Sequence, residues 1–402
     1  LQLDLRSFKF RLYPNKDQEK RFANVLEVNR IIYNYFVLNS FRSRNDMNYA
    51  LTELKEQQPI LCNYHSKMLQ MVSTKVEGAW KALAKLKKRG HQSGKGKLLL
   101  LKQCNSFTYN QTGYSIDGNK LYLSKIGRIR IVLHRQPINV KQVTVCRQNG
   151  RWYAVVACEN SKPIFKFIDP RRSVGIDVGI TKFAHDSDNY ATENPLFLTN
   201  MLKPLRRAQR RVSRRKKGSH NREKAKSWIA RLHERIANKR LNFLHKVSTR
   251  YATRYDLIFL ERLRTRNMVK NHRLARRILD SGWGTFTKML QYKSKMVMEV
   301  EPHNTSVNCS GCGNPVPKTL MMRTHRCEMC CLVIDRDYNA SLNILQRGLA
   351  LLNLPVGRRE VTPVEIAPLL VNGDGHARSM KQEASSLCVG SSRTKCSFSM
   401  SV

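Results

Sequence analysis

A chain of 402 residues, 41% hydrophobic and 8% aromatic, is long enough for two or three domains with cores of their own. Lysine and arginine total 73 against 29 aspartate and glutamate, a formal net charge of +44, and a compact fold with that excess repels itself unless a polyanion offsets it. No stretch approaches the roughly 20 apolar residues of a membrane span, and the start lacks a signal peptide's apolar core. Nucleic acid, and more than one strand of it, is the expected partner, and membrane is not.

Phe8, Phe10 and Leu12 alternate with Lys9 and Arg11 until Pro14-Asn15, which predicts a strand that stops there. Phe22, Val25, Leu26, Asn29, Ile32 and Phe36 then recur at helical spacing. Leu69, Val72, Val76, Trp80, Leu83 and Leu86 do so again before a basic, glycine-rich segment from Lys85 to Lys97. Val143 and Val145 precede the Asn149-Gly150 turn, and Trp152 to Ala157 pairs back as a hairpin. Residues 1–15 and 96–168 therefore form a small β-domain, with residues 16–95 inserted as helices.

Near Pro170 the pattern changes to alternating strands and helices. Ser173 to Gly179 reads as a strand and turn, two basic helices lie between Pro204 and Arg254, and Asp256 to Leu263 is a buried strand. A helix from Trp283 to Val297 leads into a strand at Val300, and a last helix runs from Asp335 to Leu349. This second domain covers residues 169–304 and 335–352, with a cysteine-rich module at 305–334. The polar, serine-rich stretch 353–402 is expected to be a disordered tail.

Four of the eleven cysteines stand as Cys309-Ser-Gly-Cys312 and, fourteen residues on, Cys327-Glu-Met-Cys330. That is the spacing of a ribbon in which four thiolates hold one Zn²⁺ tetrahedrally. Four protein ligands leave no open position, so the zinc is structural. His303 and His325 rank below the cysteines as ligands. The remaining cysteines are scattered, as in a reducing compartment.

Asp177, in Gly175-Ile-Asp-Val-Gly179, is an acid inside an apolar strand, a costly place unless a metal or partner receives it. Glu261 closes the apolar run DLIFLE, and Asp337 opens the last helix in DRDYNA. Three acids from two strands and a helix can converge on two Mg²⁺ ions and hydrolyse a phosphodiester. Between Lys203 and Arg240 only Glu223 and Glu234 oppose the positive charge. Trp228, Ile229, Leu232, Ile236, Phe243 and Val247 give that segment a packing face. Arg210, Arg211, Arg214, Arg215, Lys216 and Lys217 are left for phosphates.

GIDVGI, FLERL, the paired C-x-x-C knuckles and DRDYNASLNI, in that order, resemble the TnpB family of transposon-encoded, RNA-guided DNA endonucleases. So do FKFRLYPN, IIYNYF, SRRKKGSHNREKAK and RIANKRLNFLHK, and the resemblance covers most of residues 7 to 350. Fanzor proteins and type V CRISPR effectors are more distant candidates. The resemblance implies an α+β multidomain protein: a β-barrel wedge domain with an inserted helical recognition lobe, and an RNase H-like (RuvC) α/β nuclease domain with an inserted zinc ribbon. It also implies a guide RNA from the transposon end, target double-stranded DNA, a guide–target heteroduplex and a short adjacent DNA motif. The family's catalytic acids fall on Asp177, Glu261 and Asp337, with Asp335 the weaker third candidate. A motif-reading glutamine falls on Gln70, and Tyr49 and Thr108 fall near other contact positions. GHQSGKGKLLLLKQ replaces the family's usual basic turn, Val307 a common glutamine, Cys331 a glycine and Ser341 an alanine.

The reading is an Mg²⁺-dependent, RNA-guided DNA endonuclease, a protein monomer in its ribonucleoprotein, cytoplasmic in a prokaryote or nuclear in a eukaryotic host. Its rivals are an RNA-guided repressor without nuclease activity, which the three acids disfavour, and a protein-guided transposase or resolvase.

Overall fold

The computed structural model describes residues 3–39, 41, 43–92, 97–100, 103–161, 167–319, 322–354, 369–371 and 377–379. The chain divides into two compact units, Leu1–Ile164 and Phe165–Val402. No helix among the described residues is long and apolar enough to cross a membrane.

The first unit starts with β1 (Leu3–Tyr13), whose inward residues Phe10 and Leu12 are buried. Pro14 ends it, and Asn15 caps α1 (Lys16–Leu38) in a capping box with Gln18. The six residues of the predicted helical face are the ones α1 buries. α2 (Arg44–Gln57) and α3 (Ser66–Lys88) follow, then β2 (Ser106–Asn110), β3 (Tyr114–Asp117), β4 (Lys120–Leu123), β5 (Gly127–Val132), β6 (Val140–Gln148) and β7 (Arg151–Ser161). The Asn149-Gly150 turn joining β6 to β7 has both residues at positive φ, 51° and 75°, as a two-residue hairpin turn requires.

The seven strands form one antiparallel sheet in the order β2-β6-β7-β1-β5-β4-β3, with β2 and β3 as its end strands. The helices share its core: Phe22 of α1 packs on Phe107 and Trp152, and Leu69, Val72 and Val76 of α3 join the same cluster. α3's apolar stripe fades toward its end, where Leu86 is exposed. Of the glycine-rich segment, residues 93–96 lie outside the described residues.

The second unit contains β8 (Ser173–Val178), β9 (Lys182–Asp186), β10 (Ala191–Glu193), α4 (Phe197–Asn200), α5 (Leu202–Ser213) and α6 (His220–Arg254). Then come β11 (Leu257–Glu261), α7 (Thr265–Met268), α8 (His272–Ser281), α9 (Trp283–Lys293), β12 (Met296–Val300), β13 (Thr324–Arg326), β14 (Val333–Asp335) and α10 (Arg336–Leu351). Its five-stranded sheet has the order β10-β9-β8-β11-β12, with β8, β11 and β12 parallel and the other two antiparallel. Side chains of α6 and α9 cover one face, and those of α10 cover the other. Of the two basic helices, only the second is long. α5 docks on it through Leu205 and Ala208 against Leu232 and Ile236. Trp228, read as part of that packing face, is instead half exposed with Arg231 beside its ring.

In the stretch read as a disordered tail, Leu369–Val371 pairs antiparallel with Ala377–Ser379. The rest of that stretch beyond Leu354 lies outside the described residues.

Candidate active site and metal centre

Strand alternation decides where the acids point. On β8, Val174 and Ile176 enter the core that holds α6 and α9, so Gly175 and Asp177 face α10. On β11, Ile258 and Leu260 enter that same core. Leu257 and Phe259 pack with Ile344, Leu345 and Leu349 of α10, and Glu261 continues their face. The parallel register sets Leu260 beside Ile176, so Glu261 and Asp177 follow as neighbours where both strands end.

Two glycines let α10 come close enough to add Asp337 from its first turn. A Cβ on Gly175 would lie 2.2 Å from the Ser341 carbonyl oxygen, and one on Gly348 would lie 2.1 Å from the Phe259 ring. Either clash would push the helix off the sheet.

Asp177 feels the other two carboxylates. Burial raises the Asp177 carboxyl well above the usual range, and the charges of Asp337 and Glu261 raise it further. Burial also raises Glu261, although the Thr305 hydroxyl donates to it at 2.6 Å. Asp337 lies 3.2 Å from Arg336 and 3.8 Å from Arg323. Asp335 is engaged elsewhere, since its carboxylate caps α10 by accepting from the Asp337 amide at 2.7 Å and pairs with Lys182 at 3.1 Å.

His185 escaped the sequence reading. It stands directly across from Asp177 in the β8–β9 register, buried edge-on to Tyr338, and its Nδ1 has no partner among the described residues. Burial pushes its pKa down. Only its place in a short buried strand, KFAHD, could have signalled it.

The cysteines gather more tightly. Cys309 and Cys330 have their sulfurs 3.5 Å apart, as do Cys312 and Cys327, and all four lie within 4.8 Å of one another. Zinc with Zn–S bonds near 2.3 Å needs edges of about 3.8 Å, so these thiols fit it. Among the described residues no other group of three or more His, Cys, Asp or Glu draws its ligand atoms that close, the three acids included. Gly313 (φ 78°) and Cys331 (φ 57°) follow the two knuckles in matching left-handed conformations. Cys327, against its own burial, is pulled down to about 7 by the Cys330 amide and the Cys312 thiol.

The ribbon is fastened to α10 by amide side chains. Asn339 accepts from the Ser310 amide at 2.9 Å and donates to the Asn308 carbonyl at 2.8 Å. Asn343 donates to the carbonyls of Thr305 and Asn308, both at 2.7 Å, and Gln346 to that of Ser310 at 2.9 Å. These three positions form one helix face.

The remaining candidates differ in access. Gln70 of α3 lines a cleft of about 200 Å³ with Arg44, Asn48, Lys67, Asn110 and Gln111. Tyr49 is 74% exposed on α2. Thr108 is buried, and its hydroxyl is turned to that of Thr144 at 2.9 Å. Arg210, Arg211, Arg214 and Arg215 line an open cleft of about 480 Å³ with Arg207, and Lys216 and Lys217 are exposed beside it.

Family models match three stretches of the chain. The IS605 OrfB family model, described as "Probable transposase", matches residues 158–272, and one described as "Cas12f1-like, TNB domain" matches 283–344. A third, described as "Helix-turn-helix domain", matches 5–44, which fold here as β1 and α1. A Streptomyces pristinaespiralis protein named "Putative RNA-guided DNA endonuclease" is 32% identical over 86% of this chain and 90% of its own length. InsQ of Escherichia coli K12, given the same description, is 32% identical over 87% of this chain and 93% of its own. Among solved structures, the Cas12f1 chain of a Cas12f1–sgRNA–target DNA complex is similar in fold, with a TM-score of 0.52 at 14% identity. The match covers 85% of this chain and 99% of that one.

Proposed function

The chain belongs to the IS605 OrfB (TnpB) family, and from that premise we propose that it is an RNA-guided, Mg²⁺-dependent endonuclease of DNA. The observation that carries the chemistry is the convergence of Asp177 and Glu261, on adjacent parallel strands, toward the helix whose first turn bears Asp337. These oxygens are a hard donor set suited to Mg²⁺. Bound there, the cations would activate water and neutralise charge at a phosphodiester. The chain's own part is to hold the acids. Thr305 orients Glu261, Asp335 fixes the start of α10, and Arg336 and Arg323 place positive charge beside Asp337.

Pairing with the guide RNA supplies sequence choice. The exposed arginines of α5 and its following turn contact the heteroduplex backbone, and the Gln70 cleft, rich in amide and cationic groups, reads a short adjacent motif at base edges. Zinc in the ribbon is structural, and one protein chain serves each ribonucleoprotein. The test crosses two guides with two targets, each beside the same motif. Cleavage is expected only where guide and target match, and to vanish when Mg²⁺ is chelated. Cutting that ignores the guide would favour a protein-guided transposase or resolvase instead.

A further inference from the structure

β9 brings one more group to the face on which the acids lie. Its pairing with β10 slips by a residue between Thr192 and Glu193, and Phe183 and Ala184 both enter the core of α6 and α9. Lys182 and His185 are thereby turned to the opposite face, toward α10. Lys182 pairs there with Asp335 at 3.1 Å, and the His185 ring meets Tyr338 edge-on, with ring centres 5.6 Å apart. His185 is also the register partner of Asp177. Directly opposed residues show their side chains on one face with Cβ atoms about 5 Å apart, so imidazole and carboxylate are near neighbours.

The imidazole is not satisfied by the protein. His185 is 3% exposed, and its Nδ1 has no partner among the described residues, which is a standing cost to the fold. Its polar neighbours are already engaged. Lys182 is bonded to Asp335, whose carboxylate also caps α10. Asp186 turns to the other face, where it accepts from the Tyr251 hydroxyl at 3.1 Å and from the amides of Asp188 and Tyr190 at 3.1 and 2.9 Å. A water molecule would satisfy Nδ1 and leave Asp177 facing the charges of Asp337 and Glu261. A divalent cation answers both needs at once.

We propose that His185 is a nitrogen ligand to the cation held by Asp177, and that it turns the preference of this site from Mg²⁺ toward first-row transition ions. Carboxylates alone serve either kind of ion. Imidazole is a softer donor that transition ions accept readily, whereas Mg²⁺ keeps to oxygen. The inference rests on the reading of the three acids as the cation site and adds to it the one donor that tells metals apart.

The test uses the full, zinc-loaded chain and Mn²⁺ as the probe, since zinc is silent in electron paramagnetic resonance. Mn²⁺ stands at the weak end of the transition series, so a preference seen with it is a lower bound. Pulsed spectra of the Mn²⁺-loaded chain should show coupling to an imidazole nitrogen, and that coupling should change when histidine alone is labelled with heavy nitrogen. His185→Val, a residue suited to a buried strand, should abolish the coupling and weaken Mn²⁺ binding about tenfold. Mg²⁺ binding, read by competition, should stay within about twofold. Should that variant fail to fold, the labelled spectrum of the unaltered chain decides alone. Coupling that survives His185→Val, or an equal loss of both ions, overturns the proposal. Mn²⁺ that binds through Asp177 without imidazole coupling also overturns it, and leaves the acids as the cation site. Mn²⁺ binding that Asp177→Ala does not weaken would remove the cation site itself, and with it both the proposed chemistry and the part of His185.

Discussion

Two clusters of anionic ligands stand in the second unit, and they are built on opposite principles. The four thiols sit on two short turns that bend to place them, and they are already at zinc spacing. The three carboxylates sit on rigid elements, two strand ends and a helix start, and they stand further apart while raising the pKa of Asp177. The turns that carry the thiols shape a site that could receive a zinc ion. The sheet fixes the directions of its acids, and a cation bound there would draw them together.

The sharpest way to break this comparison is to remove an acid. Asp177→Ala, Glu261→Ala or Asp337→Ala should each lower cleavage on the order of a thousandfold, since several kcal/mol of charge stabilisation depend on the cation site. Target binding should persist, because the exposed arginines are separate side chains. A cleavage assay alongside a filter-binding assay checks both, and near-normal cutting by any variant removes that residue from the site.

Cys312→Ser should have the next largest effect. One ligand in four of roughly 12 kcal/mol of coordination is about 3 kcal/mol, or about a hundredfold in zinc affinity. Elemental analysis and a zinc competition titration read it, and active protein without zinc would contradict a structural ribbon.

The carboxylates should also show in pH-dependent stability. Folding raises the Asp177 and Glu261 carboxyls above their unfolded values. Their contribution is therefore fully favourable below about pH 4 and is lost as pH rises through the folded values. As pH rises above the unfolded carboxylate range, melting of Mg²⁺-free protein should fall more steeply than in Asp177→Asn, and Mg²⁺ should flatten the difference. Equal slopes would show that Asp177 carries no such strain.

The smallest expected effect is a gain. Cys331 occupies a left-handed conformation where Gly313 stands in the other knuckle, so Cys331→Gly should stabilise the ribbon by about 1 kcal/mol. Thermal unfolding of the zinc-loaded chain measures it.

Much of this was legible in the sequence, where periodicity and chemistry agreed. The buried face of α1, the Asn149-Gly150 hairpin, the cysteine spacing and the acids in apolar strands each had a local signature. α2 did not, because it buries only Met47, Ala50 and Leu51. Short strands such as β3 and β10 carry too few residues to display alternation. Trp228 failed for the complementary reason: an apolar residue at helical spacing is left in solvent. His185 became interesting only through its register with Asp177.

Asn339, Asn343 and Gln346 would pass in a sequence for the wet side of a helix. Instead, α10 is a beam seated between two supports, an apolar sheet on one side and the carbonyls of the cysteine-bearing loop on the other. Whatever steadies the loop therefore narrows the positions open to Asp337 at the end of the beam. A zinc bound by the four thiols, though it would meet no substrate, would hold part of the tolerance to which the carboxylates are set.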